Sequence, residues 1–340
     1  MNGKRPYKLP EPLLCSADKE INMVLVDEYI RKHEERMPRY SYLENLYKGF
    51  HDVFRLPEKE KWKPDNRLAV NFPRYITETF LGYAYGIPIK KSHPDANIKD
   101  AILDFDRDND ISDQEYELAK KCCIYGHAFE YFYQDEEAKT KTVICNPKEL
   151  FVVYDDTVKN RALFAVRYGK RDDNVTRYGE ILTRTEIIPF EGEKMREGVL
   201  NPYGRINCVE YLLNDERIGL YEEVAGMVEV YNRVIGEKAN DVDSFAEAYL
   251  AVLGAELDEE GVYKIRDNRI INLYGTDNAK DIIVQFLGKP TADGTQENLL
   301  EPIGRFDLSD KMVANISDDS FGNASGTSLA YKLQSMSNLA

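Results

Sequence analysis

The chain has 340 residues, 43% of them hydrophobic and 31% charged, with a formal net charge of −15 and a pI near 4.9. That length suits two or three compact units with a sizeable core, and the acidic balance excludes an ordinary nucleic-acid binder with a basic surface. Five cysteines (Cys15, Cys122, Cys123, Cys145 and Cys208) form no C-x-x-C pair and the four histidines are scattered, which argues against structural zinc and for a reducing compartment. The N-terminal stretch MNGKRPYKLPEPLLC lacks the apolar run of a signal peptide, and no segment reaches membrane-spanning length. The expectation is a soluble chain made inside the cell.

Residues 1–15 contain Pro6, Pro10 and Pro12 and suit an extended arm. Ser16 is placed to cap a helix over 17–36 with Ile21, Val24, Leu25, Tyr29 and Ile30 on its apolar side. Pro38 is expected to break it, a second helix covers 40–50, and 51–66 is a polar loop. Asn71 can cap the next helix, Pro73 suits its first turn and Gly86 its end. Asn97 opens a helix running to Asp106, and Ser112 with Glu115 forms a capping box for a helix through Tyr125. From His127 the period changes to short β-branched or aromatic runs, which predict an antiparallel meander of five or six strands over 127–190. A polar loop, 191–205, leads to the strand CVEYLL.

The segment 218–254 dominates the second half. Ile218, Tyr221, Val224, Val228, Tyr231 and Ile235 recur at helical spacing, with Asp215 upstream as a cap and Gly236 as a stop. Such a helix is on the order of 28 Å long. Positions 222, 226, 229 and 233 share one polar, net-negative face, which amphipathicity alone assigns to solvent. A short helix is predicted over 242–254, three strands lie within 262–288, and a helical pattern over 294–312 is kinked at Pro302. The small, polar stretch 315–326 predicts a loop, and 327–339 a final helix.

The sharpest chemical motif is DFDRDNDISDQE (104–115), whose carboxylates match the ligand positions of an EF-hand calcium loop, with Asn109 in place of the usual glycine. Its bland counterpart is an acidic linker whose Ser112 and Glu115 are already explained as a capping box. GNASGTS (322–328) lacks the glycine spacing and the lysine of a phosphate loop. Cys122 and Cys123 near His127 suit buried, inert thiols better than a nucleophile with its base. No catalytic constellation emerges.

Several stretches, in order, resemble one family. They are NRLAVNFPRYITETFLGYAYGIPI (66–89), CCIYGHAFEYFYQDEE (122–137), LFVVYDD, LFAVRYG, INCVEYLLNDERIGLYEEVAGMVEVYNRV (206–234), FAEAYLAVLG, VQFLGKP and ANISDDSFGNASGTSLAYKL (314–333). Together they resemble the portal proteins of tailed bacteriophages of the siphovirus type. Members of that family form rings, usually dodecameric, at one capsid vertex, through which double-stranded DNA is packaged and ejected.

The resemblance implies an α+β portal fold with a mixed α/β wing, a helical stem and a small α/β clip. It assigns 1–213 to the wing, 214–241 and 291–313 to two stem helices, and 242–290 to the clip. Residues 314–326 become a tunnel loop, and 327–340 the start of a helix returning to the wing. Glu222, Glu229 and Arg233 would face the DNA channel, and Asn315, Ser317, Asp318, Asp319, Ser320, Phe321, Gly322, Asn323 and Ser325 would form the tunnel loop. An acidic wall repels phosphates and so lowers friction. Implied partners are further copies in a homo-oligomeric ring, the DNA, the terminase large subunit at the clip, a head-completion or tail adaptor, and capsid and scaffold proteins. The implied location is the virion. No catalysis, cofactor, metal or membrane is implied. Family members continue into a helical crown, so a chain ending at Ala340 is expected to lack it. The alternative is a calcium-binding adaptor built on 104–115.

Overall fold

The computed structural model describes residues 7–61, 63–173, 175–246, 250–253 and 283–286. Their helix and strand content makes an α+β fold, divided into two units. The first comprises residues 1–51, 70–229 and 300–340, the second 52–69 and 230–299.

In the first unit the N-terminal arm ends in strand β1 (Leu13–Cys15), which pairs in parallel with β4 and is fixed by the Tyr29 hydroxyl donating to the Leu14 carbonyl at 2.5 Å. Helix α1 spans Met23–Glu34, later than expected, because Asn22 rather than Ser16 supplies the cap: its Oδ1 accepts from the Leu25 N–H at 3.0 Å. Pro38 breaks nothing. It sits in the first turn of α2 (Met37–Lys48), where a missing N–H is harmless. Helix α3 (Phe72–Ala84) follows expectation, with Asn71 accepting from the Arg74 N–H at 3.1 Å.

Helix α4 (Ala96–Asp108) and helix α5 (Ile111–Tyr125) are separated by two residues only. The calcium loop expected over 104–115 is therefore absent, since its first five and last five residues are helical and their carboxylates cannot converge. Asp106 and Glu115 are instead both held by Lys91, at 3.0 Å each. The capping box is also absent, because α5 starts at Ile111 after Asp110, which has φ 48° and makes no side-chain cap.

Six strands follow as expected: β2 (His127–Gln134), β3 (Thr140–Cys145), β4 (Leu150–Asp155), β5 (Ala162–Lys170), β6 (Arg177–Leu182) and β7 (Glu186–Glu191). They do not form one meander. The chain switches sheets between β3 and β4, at a turn where Asn146 Oδ1 accepts from the Lys148 N–H at 2.9 Å. One sheet has the order β1-β4-β5-β6-β7, with two-residue strands β8 (Lys194–Met195) and β9 (Val199–Leu200) both on β7. The other is β10-β2-β3, where β10 (Cys208–Leu212) pairs antiparallel with β2. The free edge of β3 is blunted by side chains, with Asn109 Oδ1 accepting from the Thr142 N–H at 3.1 Å and Gln114 Nε2 donating to the Thr142 carbonyl at 3.1 Å.

Three buried clusters hold this unit. Tyr40, Leu43, Ile76, Leu81, Cys123 and Tyr221 join the helices, Val26, Ile30, Phe151, Phe164 and Ile181 seat α1 on the larger sheet, and Phe129, Leu150, Ala165 and Leu182 fill the space between sheets.

The long helix α6 runs Ala225–Ala246. It starts seven residues, about two turns, later than the periodicity suggests, because residues 220–224 form turns, and Gly236 does not stop it. In the second unit, segment 52–69 opens with a single 3-10 turn (Asp52–Arg55) and is tied to α6 by Lys59 to Glu237 at 2.8 Å and by the Asn66 N–H donating to Asn240 Oδ1 at 2.6 Å. The helix expected over 242–254 is likewise corrected: its first part continues α6, and Leu250–Leu253 is strand β11, antiparallel to β12 (Ile283–Phe286). The rest of the segment expected to be the clip, and the expected second stem helix 291–313, tunnel loop 314–326 and helix 327–340, lie outside the described residues.

Candidate functional site

The coil between β10 and α6 carries a dense buried polar network. Asn214 folds it locally, its Oδ1 accepting from the Ile218 N–H and its Nδ2 donating to the Ile218 carbonyl, both at 2.8 Å. Arg217 takes a left-handed φ of 57°. The coil then lies backbone to backbone on the end of α5, with the Leu220 N–H donating to the Cys123 carbonyl at 2.7 Å. Two glycines permit this approach. A Cβ on Gly126, itself at φ +87°, would sit 2.0 Å from the Arg217 carbonyl oxygen, and one on Gly219 would sit 2.5 Å from that of Ile124.

Buried charges lock the coil in place. Arg39, from α2, donates Nε to Glu222 Oε1 at 2.8 Å and Nη2 to Glu222 Oε2. The same guanidinium reaches the Tyr125 carbonyl at 3.1 Å and the Arg217 carbonyl at 2.8 Å. Both side chains are shut off from solvent, at 1% and 0% exposure. Glu222 Oε2 also accepts from the Gly219 N–H at 2.9 Å. Beside it, Glu210 on β10 accepts from Arg217 Nε at 2.9 Å, from Arg217 Nη2 at 3.0 Å, from His127 Nδ1 at 2.6 Å and from the Tyr154 hydroxyl. Burial works against ionisation of Glu210, but the His127 and Arg217 hydrogen bonds override it and hold its carboxyl far below the usual range. Burial pushes His127 the other way, lowering its pKa against the pull of Glu210. The ring is therefore neutral near pH 7, with Nδ1–H donating to Glu210 and Nε2 accepting from the Tyr40 hydroxyl at 2.9 Å.

This hub places Glu222, expected on a channel face, inside the protein, where Arg39 and the Gly219 amide take up its carboxylate. Glu229 is 11% exposed, with Oε1 at 3.3 Å from His51 Nδ1, and Arg233 is half-buried. Among the described residues, the exposed positions around the start and along α6 are instead Glu223, Gly226, Met227, Val230, Glu237 and Asp243. The apolar side was legible: Tyr221, Val224, Val228 and Tyr231 are all buried. Arg39, Glu210 and Arg217 were missed: Arg39 meets Glu222 across 183 residues, and Arg217, only seven residues from Glu210, reaches it through an irregular coil that no spacing rule describes. The tunnel-loop residues Asn315, Ser317, Asp318, Asp319, Ser320, Phe321, Gly322, Asn323 and Ser325 lie outside the described residues.

The described residues thus form a mixed α/β body whose chain passes through a buried ionic hub into one long helix. Residues 26–340 match the family model described as "Phage portal protein, SPP1 Gp6-like", and the chain belongs to that family. It is similar to the portal protein of Bacillus phage SPP1, with 20% identity over 259 residues, covering 69% of this chain and 51% of that protein. The chain thus spans about half the length of this curated relative. Among solved structures it is similar to a chain in the neck of an empty GTA particle computed with C6 symmetry (11% identity, TM-score 0.49, 79% of this chain and 74% of the other). A second is in the neck of a native GTA particle computed with C12 symmetry (12% identity, TM-score 0.46, 77% and 71%).

Proposed function

We propose that this chain is the subunit of a dodecameric portal ring at the capsid vertex of a virion, a non-enzymatic conduit through which double-stranded DNA is packaged and ejected. The observation that carries the reading is the family match across residues 26–340. The net charge of −15 supports it: a wall that attracted phosphates would hold moving DNA. Within this reading 1–213 is wing, 214–241 and 291–313 are stem, 242–290 is clip, 314–326 is the tunnel loop, and 327–340 returns to the wing. The channel face of the stem is carried by Glu223 and Glu237, which are exposed, in place of the buried Glu222. The terminase large subunit and later a head-completion or tail adaptor dock at the clip, and capsid and scaffold proteins surround the wing.

Light scattering and negative-stain microscopy of the purified protein test the reading. The expected result is a ring of about a dozen copies with a central hole. A monodisperse monomer or compact dimer at all concentrations, with or without DNA and scaffold, overturns it.

A further inference from the structure

An open cleft of about 530 Å³ lies in the first unit between helices α3, α4 and α5 and one face of the β10-β2-β3 sheet. Its walls are mostly apolar, formed by Phe80, Phe105, Leu118, Phe132 and Ile144 among others, with Lys91, Gln114 and Glu115 as polar members. Helix α4, on its outer side, buries none of its own residues and leaves Ile98 and Leu103 about half exposed. The chain alone does not finish packing this surface.

Glu130 sits on the wall of that cleft. Its Oε1 accepts from the Thr142 hydroxyl at 2.8 Å and its Oε2 from the Tyr211 hydroxyl at 2.9 Å. Burial, reinforced by this carboxylate, pushes the Tyr211 phenol up to about 12, so it stays a donor. Among the described residues no basic nitrogen lies within ion-pair distance of Glu130, while the neighbouring Glu115 already has Lys91. An apolar cleft with one carboxylate held only by hydroxyls suits a cation on an aliphatic stem, flanked by apolar or aromatic groups. In this acidic chain the segment 1–10, MNGKRPYKLP, carries Lys4, Arg5 and Lys8 and no acidic residue. The described part of the arm begins at Tyr7, and Lys4 lies three residues before it, a span of at most about 10 Å along the chain.

The geometry points to the cleft at Glu130 as the dock for the basic N-terminal arm of a neighbouring copy, with Lys4 or Arg5 on the carboxylate. The neighbour is supplied by the ring reading above, on which this inference rests. Each copy would offer an arm to one side and a cleft to the other, the heterologous arrangement that closes a ring.

The test has two arms. A fluorescent peptide of residues 1–10 is titrated, by anisotropy, onto a chain lacking residues 1–6. Saturable binding that weakens with salt, and by about ten-fold or more in Glu130→Gln, is expected. Glutamine retains both hydroxyl partners, so an unchanged melting temperature separates this loss from misfolding. No binding, or equal binding to Glu130→Gln, overturns the inference. In the second arm Glu130→Lys copies are mixed with copies carrying Lys4→Glu and Arg5→Glu. Each alone is expected to stay below ring mass, and an equimolar mixture to regain it. If the mixture stays unassembled while the triple variant assembles, the arm docks within its own copy and the inference falls. If the wild type never forms rings but the peptide binds through Glu130, the dock stands and the ring reading is what fails.

Discussion

Arg39 and Glu222 bear on stability in a way that exposed ion pairs do not. A buried pair roughly breaks even against apolar replacements, but removing one partner strands the other charge in a low-dielectric interior. Arg39→Met should lower the unfolding free energy by about 3–5 kcal/mol, and Arg39→Met combined with Glu222→Leu should be more stable than Arg39→Met alone. Urea denaturation of the four-member cycle checks both. The histidines set the acid limb. His33 is fully buried, with Nε2 donating to the Pro147 carbonyl at 2.8 Å and Nδ1 accepting from the Tyr168 hydroxyl at 2.9 Å. Burial brings its pKa down to about 3. A base whose folded pKa is lowered contributes fully above its unfolded pKa, about 6.5, and loses that contribution as pH falls toward the folded value. His127 acts in the same direction. Stability should therefore drop between pH 6.5 and 5 by up to about 2 kcal/mol through His33 alone, with His33→Gln showing a shallower slope on a lower baseline. None of these partnerships was legible in the sequence. Arg39 and Glu222 stand 183 residues apart, and a local pattern encodes only neighbours along the chain.

Helices and strands were more legible than the contacts between them. Asn71 and Pro73 open α3 as their chemistry dictates, and the apolar stripe of α6 is buried. Helix ends failed wherever a competing partner took over: Asn22 displaced Ser16 as cap, and an acidic calcium-like loop dissolved into α4 and α5 because Lys91 gathers its carboxylates. Gly236 carries the clearest lesson. Its spacing suggests a helix stop, yet it lies within α6, where an added Cβ would come 2.9 Å from the Asn66 carbonyl oxygen. It is a small residue for close approach rather than for a left-handed turn. Gly226, in the first turn of the same helix, has nothing within 4 Å of its Cβ position. The two therefore respond oppositely to alanine. Gly226→Ala should stabilise by a few tenths to about 1 kcal/mol through helix propensity, and Gly236→Ala should destabilise by about 1–2 kcal/mol through overpacking. Thermal melts of the two variants distinguish the roles, and a matched rise in both would mean that segment 52–69 does not press on the helix.

At the scale of the whole molecule, charge distinguishes a conduit from a binder. Affinity for duplex DNA comes from neutralising phosphates, each contact contributing about 0.9 to the slope of log K against log salt. A chain of net charge −15 has little to offer in that exchange, so gel shifts at about 150 mM salt should show no retained duplex. The acidic balance is plain in the composition, while the exposed face of α6 was not legible, because rotation of a helix is fixed by what it packs on. Tyr221, Val224, Val228 and Tyr231 take the inner side and leave Glu223 and Glu237 outside. Reversing those two carboxylates with Glu223→Lys and Glu237→Lys should lower the melting temperature only modestly, because Glu223 is exposed and Glu237 gives up a partly exposed 2.8 Å pair with Lys59. In assembled rings the same change should create measurable DNA retention with a steep salt slope, since every copy contributes two new cations to one channel wall. Retention that appears in rings but not in unassembled subunits would place these positions on the channel. Equal retention in both would mean that the charges face outward, where a ring adds nothing to what one copy can do.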